Sequence, residues 1–275
     1  MKLSLRLLTL AVALMTCTSL LAQQNTLPLP LQEVKLDDDV QMRARAILDI
    51  PLTKSLSLEW SEQVRMHNNV SDVDKILSTV GVGYKVLPWL KLGASYSFVN
   101  VRDAEMNTVT GVEEVEWKMR HLVNVDVTGS YKVGRVKLSL RERLRANFRA
   151  DSVSKYEHTN PLLTLRSRLK VAYDIRQCRW EPYAYAELYT TLNAVSAVPN
   201  YKQYAPAYKQ YMNRLRFAVG TEFKINNYHR LDFYYQYQMN QSYDARYKTN
   251  KGELKEWRHE KQNCHVIGLD YKFKL

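Results

Sequence analysis

The chain ends in HVIGLDYKFKL, residues 265–275, where one side of an extended strand is mostly apolar and the other mostly polar. Neighbouring side chains of a β-strand point to opposite faces of the sheet. The first face would carry His265, Ile267, Leu269, Tyr271, Phe273 and Leu275, and the second Val266, Gly268, Asp270, Lys272 and Lys274. Alternation that finishes on aromatic and aliphatic residues is typical of the closing strand of a transmembrane β-barrel.

Ten segments upstream repeat this alternation. They lie at about 40–50, 56–66, 76–84, 90–98, 117–131, 136–146, 163–175, 180–189, 215–223 and 231–239. Their lengths suit a tilted strand of about 9–11 residues, which is the length that crosses a bilayer. The pattern predicts an all-β fold, namely a transmembrane antiparallel up-and-down β-barrel of about 10–12 strands.

The connections between these segments alternate in length. Short ones lie at 51–54, 87–89, 132–135, 176–179 and 225–229, and longer polar ones at 67–74, 102–115, 150–160, 193–210 and 244–260. Short periplasmic turns and long external loops are the usual asymmetry of an outer-membrane barrel. The direction of every strand follows, and the closing strand ends in the periplasm.

This direction conflicts with the expected position of the N-terminus. The strand before the turn at 51–54 would run from the outside to the periplasm, whereas the N-terminus of an exported chain should begin in the periplasm. Either a twelfth strand lies within residues 26–36, or that segment threads upward through the lumen. Bacterial barrels usually have even strand counts, which favours twelve. Pro28 and Pro30 make the segment a poor strand, since proline cannot donate to a ladder.

The first 22 residues are expected to be a secretory signal peptide. Lys2 and Arg6 precede a short apolar run, and Ala22 offers a small residue for cleavage. A lipoprotein signal at Cys17 fits less well, because Thr16 precedes the cysteine. The predicted organisation is a signal peptide at 1–22, an N-terminal segment at 23–37 that is a first strand or a lumen plug, and a barrel at 38–275. The predicted location is the outer membrane.

Four stretches resemble a known family. They are RARAILDIPLTKSLSLEWSEQVRM (43–66), ILSTVGVGYKVLPWLKLGASYSF (76–98), RSRLKVAYDI (166–175) and WEPYAYAELY (180–189). With the alternation over roughly residues 38–275, they resemble the outer-membrane barrel family known as domain of unknown function 2490, which is common in Bacteroidota. The resemblance implies an outer-membrane barrel and no particular activity.

Basic residues recur on the faces opposite the apolar ones and predict a basic lumen. This ladder comprises Arg141, Arg143, Arg145, Arg166, Arg168, Arg214 and Arg216, with Lys170 beside them. Carboxylates of matching parity are fewer, namely Glu59, Asp126, Asp174, Glu187 and Asp232. The arginines either pair with carboxylates and fill a narrow barrel or stay unpaired and attract anions. A barrel of about twelve strands leaves little more than side-chain space, which favours the filled lumen.

Glu187 is the inward carboxylate among Tyr183, Tyr185 and Tyr189. An acid–base role would require a partner and a water-accessible cleft, whereas a structural role requires only neighbouring arginines. We therefore interpret Glu187 as the acid partner of the ladder and assign no catalytic residue. Two other carboxylates, Glu62 and Glu142, fall on apolar faces, where a β-bulge or a contact with protein would remove the conflict.

The leading functional hypothesis is a non-enzymatic outer-membrane barrel, either structural or a narrow anion-favouring channel. An alternative is a barrel enzyme acting on lipid or lipopolysaccharide, which would need a Ser–His pair. His121 and His265 are predicted to face outward, and no G-x-S-x-G sequence occurs. A second alternative is a soluble periplasmic barrel that binds a small ligand.

The expected partners are outer-membrane lipid and, through basic loops such as Tyr201–Arg214, lipopolysaccharide. Nucleic acid is not expected as a partner of an exported chain. The six histidines and the cysteines show no metal-ligand spacing, so no metal or cofactor is predicted. Cys178 and Cys264 are predicted to lie at opposite ends of the barrel and to form no disulfide.

Overall fold

A computed structural model describes residues 29–106, 113–152 and 154–275. The predicted signal peptide and Cys17 lie outside the described residues. Within them the strands are β1 (Gln32–Lys35), β2 (Asp39–Pro51), β3 (Leu56–His67), β4 (Asp72–Leu87), β5 (Leu90–Met106), β6 (Glu113–Val133), β7 (Val136–Arg149), β8 (Leu162–Tyr173), β9 (Trp180–Ser196), β10 (Ala207–Lys224), β11 (His229–Tyr247) and β12 (Leu254–Lys274). None of the described residues belongs to a helix long and apolar enough to cross a membrane.

Strands β2 to β12 form a closed barrel of eleven strands, which confirms the predicted all-β barrel. Each strand pairs antiparallel with its neighbour in sequence, and β12 returns to β2 to close the sheet. This closing seam is parallel, with Cys264 opposite Asp39 and Lys274 opposite Asp49. The expectation of an even number is wrong, because a parallel seam lets an odd number of alternating strands close into a barrel.

The short strand β1 runs along the same edge of β12 as β2 does, again in parallel, with Lys35 opposite Lys261. Three residues lie between Lys35 and Asp39, whereas two lie between their partners Lys261 and Cys264. One extra residue therefore kinks the chain between β1 and β2, as in a β-bulge. Of the segment 23–37, residues 32–35 lie in the sheet, and residues 23–28 are outside the described residues.

The two faces of the barrel differ sharply in chemistry. Apolar side chains point outward, and Val80, Val125 and Ile267 are 50 %, 56 % and 59 % exposed. Polar side chains fill the middle of the lumen, where Glu187 and Gln236 are each 1 % exposed. Aromatic residues ring the outside near the short turns, among them Trp89, Tyr131, Trp180, Tyr228 and Tyr271.

The strands extend further toward the long loops than the apolar alternation predicts. β9 reaches Ser196, β11 reaches Tyr247 and β12 already begins at Leu254. Cys264 is therefore near the middle of β12, and its predicted place at the outer end is wrong. Both Cys178 and Cys264 are free, the first exposed in a short turn and the second buried.

Glu62 and Glu142 remain on the outer face of regular strands, so the expected bulges do not occur there. Each carboxylate accepts a hydrogen bond from a serine directly across the sheet. Ser78 Oγ lies 2.7 Å from Glu62, and Ser167 Oγ lies 2.5 Å from Glu142. The indole nitrogen of Trp60 also donates to Glu62 at 3.0 Å. These bonds reduce the cost of an outward carboxylate.

Candidate functional site: a basic lumen

Glu187 on β9 lies at the centre of the lumen, surrounded by arginines from three other strands. Arg166 Nη2 and Arg168 Nε of β8 each lie 2.9 Å from Glu187 Oε1. Arg216 Nη1 of β10 lies 3.2 Å from Oε2, and Arg141 Nη2 of β7 lies 3.6 Å from Oε1. Strand alternation explains the convergence, because these residues are Cα partners or near neighbours at one height of the sheet.

Tyr189, two residues further along β9, adds an aromatic surface to the same cluster. The guanidinium carbons of Arg166, Arg216 and Arg214 lie 4.6, 4.5 and 5.4 Å from its ring centroid. Arg216 also bonds to the Tyr189 hydroxyl. Cations over an aromatic face are attracted by the ring quadrupole, so Tyr189 helps to hold arginines that a single carboxylate cannot neutralise.

The remaining predicted arginines take separate partners. Arg143 Nη2 lies 2.8 Å from Asp126, and Arg145 Nε donates to Asn124 Oδ1 at 2.8 Å. Lys170 Nζ lies 3.6 Å from the ring centroid of Tyr183. The structure thus brings Arg141, Arg166, Arg168 and Arg216 to Glu187, places Arg214 on Tyr189, and gives Arg143 and Arg145 polar neighbours on β6.

Two of the predicted acids differ from expectation in their place or partner. Asp174 lies in the turn after β8, where Lys132 Nζ approaches it at 3.2 Å, so it is not a lumen residue. Asp232 faces the lumen but accepts its hydrogen bond from the Tyr183 hydroxyl at 2.7 Å. Strand β8 ends at Tyr173, and the inward alternation cannot be extended beyond it.

Several lumen residues are absent from the predicted ladder. Arg43 Nη2 donates to Gln238 Oε1 at 3.3 Å, Arg45 pairs with Asp270, and Arg65 donates to Gln63 Oε1. The sequence does indicate that Arg43 and Arg45 face the lumen, because both alternate with the apolar residues of β2. The glutamine partners carry no charge, and nothing in the alternation distinguishes them from ordinary lumen residues.

We call the buried set in the middle of the lumen the Glu187 layer. Its members are Asn124, Arg166, Glu187, Tyr189, Arg216, Gln236 and Gln238, each at most 7 % exposed. An upper cavity of about 460 Å³ lies on the long-loop side of this layer, and a lower cavity of about 590 Å³ on the short-turn side. The layer therefore narrows the lumen between the two cavities.

The lower cavity is strongly basic. Its carboxylates are Glu59, Asp126, Glu222, Asp232 and Asp270. Its cations are far more numerous, namely Arg43, Arg45, Arg65, Lys91, Arg141, Arg143, Arg145, Arg166, Arg168, Lys170, Arg216, Arg230 and Lys272. Concentrated charge of one sign in a concave site attracts counter-ions of the other sign. No three His, Cys, Asp or Glu side chains converge as metal ligands within the described ranges.

Two solved structures of OmpT, an outer membrane protein of Vibrio cholerae, resemble this chain. The in-vitro folded form is 14 % identical, with 74 % of this chain and 56 % of that chain covered and a TM-score of 0.35. The outer-membrane expressed form is 16 % identical, with 73 % and 59 % covered and a TM-score of 0.36. This chain thus spans little more than half the length of either structure.

No curated protein sequence matches the chain. The sequence profile of the family described as "Protein of unknown function (DUF2490)" matches residues 41–249, which include most of the barrel from β2 to β11. The resemblance inferred from the strand sequences is thereby confirmed, and the chain belongs to the DUF2490 family.

Proposed function

We propose that the protein is an outer-membrane β-barrel with a narrow lumen that favours anions and is constricted by the Glu187 layer. The exposed apolar belt supports the membrane location, because soluble proteins rarely expose contiguous apolar patches of more than a few hundred Å². Such a belt is stable where lipid replaces water around it. In this arrangement the short turns face the periplasm and the long loops face outward, and the barrel's first partner is outer-membrane lipid.

The excess of cations over carboxylates in the lower cavity is the observation that carries the anion preference. Rings of basic side chains select anions in pores. The arginines of the Glu187 layer are shared between Glu187 and Tyr189, so the cluster as a whole keeps positive charge. An anion approaching from the periplasm would meet this charge at every level of the lower cavity.

The test is conductance across a planar bilayer containing the purified barrel under a KCl gradient. We expect a small conductance with a reversal potential that favours chloride. Lys170→Glu, which inverts one charge of the lower cavity, should move the reversal potential toward that of potassium. The matched control is Lys54→Glu in an exposed short turn, which should leave selectivity unchanged. Cation preference in the unmodified barrel would contradict the proposal.

A purely structural barrel is the second candidate, and the burial of the Glu187 layer favours it. It requires that neither the unmodified barrel nor Glu187→Gln conducts, since the side chains would fill the lumen in both. The membrane location has a separate test in cell fractionation. Recovery of the protein as a freely soluble periplasmic species would refute the barrel's proposed place in the outer membrane.

A further inference from the structure

The upper cavity is a second concave site, and the lumen charge described above does not explain its lining. Arg214 and Thr191 line its deep end, next to the Glu187 layer, and His158 and Thr159 of the β7–β8 loop line its rim. Its volume of about 460 Å³ falls in the range of about 300–1,000 Å³ that is typical of small-molecule sites.

The pairing of β10 with β9 contains two irregularities beside this cavity. The register shifts between Lys209 and Tyr211 and again between Met212 and Arg214. Uninterrupted alternation from the inward Arg214 would point Met212 and Tyr208 into the lumen. Both instead lie on the outside, 43 % and 57 % exposed.

Asn213 is an extra residue of β10 between the paired Met212 and Arg214, so the alternation of β10 reverses there, and Tyr211 lines the cavity together with Asn213. The shift between Lys209 and Tyr211 adds a residue to β9 and leaves the alternation of β10 unchanged. Bulges commonly re-aim side chains beside functional sites. The extra residue in β10 therefore places Tyr211 and Asn213, rather than Met212, on the cavity wall at this level of the barrel.

The cavity wall also holds polar atoms without hydrogen-bond partners. Within the described part of the chain, Oδ1 of Asn147, Asn213 and Asn240 and Nε of Arg120 and Arg214 have none. All five side chains line the upper cavity. Buried polar atoms are normally paired, so each exception requires an explanation. Small rotations of the amides would present acceptors and donors to a hydrogen-bonding ligand in the cavity.

The charge balance separates this cavity from the lower one. Arg149 is neutralised by Asp151, with Nη2 2.8 Å from the carboxylate. Two further carboxylates, Glu157 and Glu260, line the wall together with the arginines. Mixed charges and three amides suit a ligand that both donates and accepts hydrogen bonds, rather than a simple anion.

Two tyrosines complete the lining. The rings of Tyr211 and Tyr243 are nearly perpendicular, at 88°, with centroids 5.0 Å apart. Such rings offer an apolar surface with a polar end. A sugar matches this combination, because its hydroxyl groups bond to amides and charged groups while its ring C–H groups pack on an aromatic side chain.

We propose that the upper cavity binds a short saccharide that enters from the long-loop end. The probe is a glycan array of mono- to trisaccharides, neutral ones and ones bearing a carboxylate or phosphate, incubated with fluorescently labelled barrel in detergent. We expect binding to one class of saccharide, weakened about tenfold by Tyr211→Ala, in keeping with the loss of an aromatic contact.

Tyr208→Ala is the matched control, since Tyr208 lies on the same strand with its side chain outside the barrel. It should bind as the unmodified protein does, and Asn213→Ala should weaken binding without removing an aromatic ring. A heat-dependent shift in gel mobility establishes that each variant is folded. Absence of binding across the whole array, or equal binding by folded Tyr211→Ala, would overturn the proposal, whatever the conductance of the barrel.

Discussion

At the scale of single residues, Gly268 and Gly220 leave the space that two lumen tyrosine rings occupy. A Cβ on Gly268 would fall 1.9 Å from Cζ of Tyr234, and one on Gly220 would fall 2.6 Å from Cζ of Tyr183. The rings thus cover the bare backbone of neighbouring strands, an arrangement that stabilises sheets containing glycine. The close approach leaves no space for any larger residue.

We expect Gly268→Val to destabilise the folded barrel by more than the roughly 1–3 kcal/mol of ordinary overpacking, because the obstacle is a ring held over the backbone. Gly129→Val is the control, since a Cβ there meets no atom within 4 Å. Urea unfolding in lipid vesicles measures both variants. Equal unfolding midpoints would show that Tyr234 does not lie over Gly268.

Glu187 offers a second test at this scale, because several arginines share its single negative charge. Glu187→Gln leaves these cations uncompensated in a buried site and should lower the free energy of unfolding by roughly 3–5 kcal/mol. Glu222→Gln removes a half-exposed partner of Arg230, 2.8 Å away, and should cost at most about 1 kcal/mol. The comparison uses the same urea titration, and a cost for Glu187→Gln no larger than that for Glu222→Gln would contradict the buried cluster.

At the scale of strands, the seam between β2 and β12 joins segments from opposite ends of the chain. Asp39 and Cys264 are Cα partners across it, and both are buried. Opposed residues of paired strands lie within the Cα separation of about 4.4–6.8 Å that a disulfide requires. Cys264 can therefore form a disulfide with a cysteine introduced at position 39.

In a Cys178→Ser background, we expect Asp39→Cys to form a disulfide with Cys264 under mild oxidation. Gln41→Cys is the control and should form no disulfide, because Gln41 pairs with Val266, two residues further along the seam. Mass spectrometry of the digested protein identifies the linked peptides. A crosslink in the Gln41→Cys variant alone would indicate a different register, and none in either would contradict the parallel seam.

The stability of the loop between β7 and β8, which lies outside the apolar belt, is expected to depend on pH. The hydrogen bonds from Arg149 lower the pKa of Asp151 to about 2, from an ordinary 3.8. The ion pair therefore contributes stability above about pH 3.8, and this contribution is lost as the pH falls through 2. Pepsin should cleave this loop faster at pH 2 than at pH 3.5, relative to an unfolded substrate, and Asp151→Asn should remove that difference.

The sequence predicts the strands best where their outward side chains form the apolar belt of the barrel. Alternation predicts segments such as 231–239, because every outward position there is apolar or aromatic. Alternation does not predict the extension of β12 to Leu254, because outward positions such as Lys255, Lys261 and Asn263 are polar. Alternation also cannot show which edges close the sheet, nor that Asn213 interrupts the register of β10.

At the scale of the whole molecule, the proposed membrane location implies that the position of the apolar belt sets the depth of the barrel in the bilayer. Val125 and Val115 are both exposed on β6, at 56 % and 46 %. Ten positions separate them, which is roughly 24 Å of height for a strand tilted by about 45°. Only Val125 lies in the middle of the belt, whereas Val115 lies near the long-loop end.

Val125→Lys should therefore destabilise the barrel in lipid vesicles by about 2–4 kcal/mol, whereas Val115→Lys should cost about 0–1 kcal/mol. Reversible urea unfolding in vesicles measures the difference. If the two variants were equally destabilised in vesicles, the proposed depth would be wrong. If neither were destabilised, the belt would not face lipid at all.

The parallel seam also governs the order in which the barrel can assemble. Asp39 must meet Cys264, so the final closure waits until nearly the whole described chain has been delivered. Until then β2 and the most recently added strand each present an unpaired edge, and such edges readily join those of other chains. Closing the largest loop in sequence is also a slow step. The interval between delivery of β2 and of β12 is thus the period of greatest risk of aggregation, and a bound chaperone would protect the protein most effectively then.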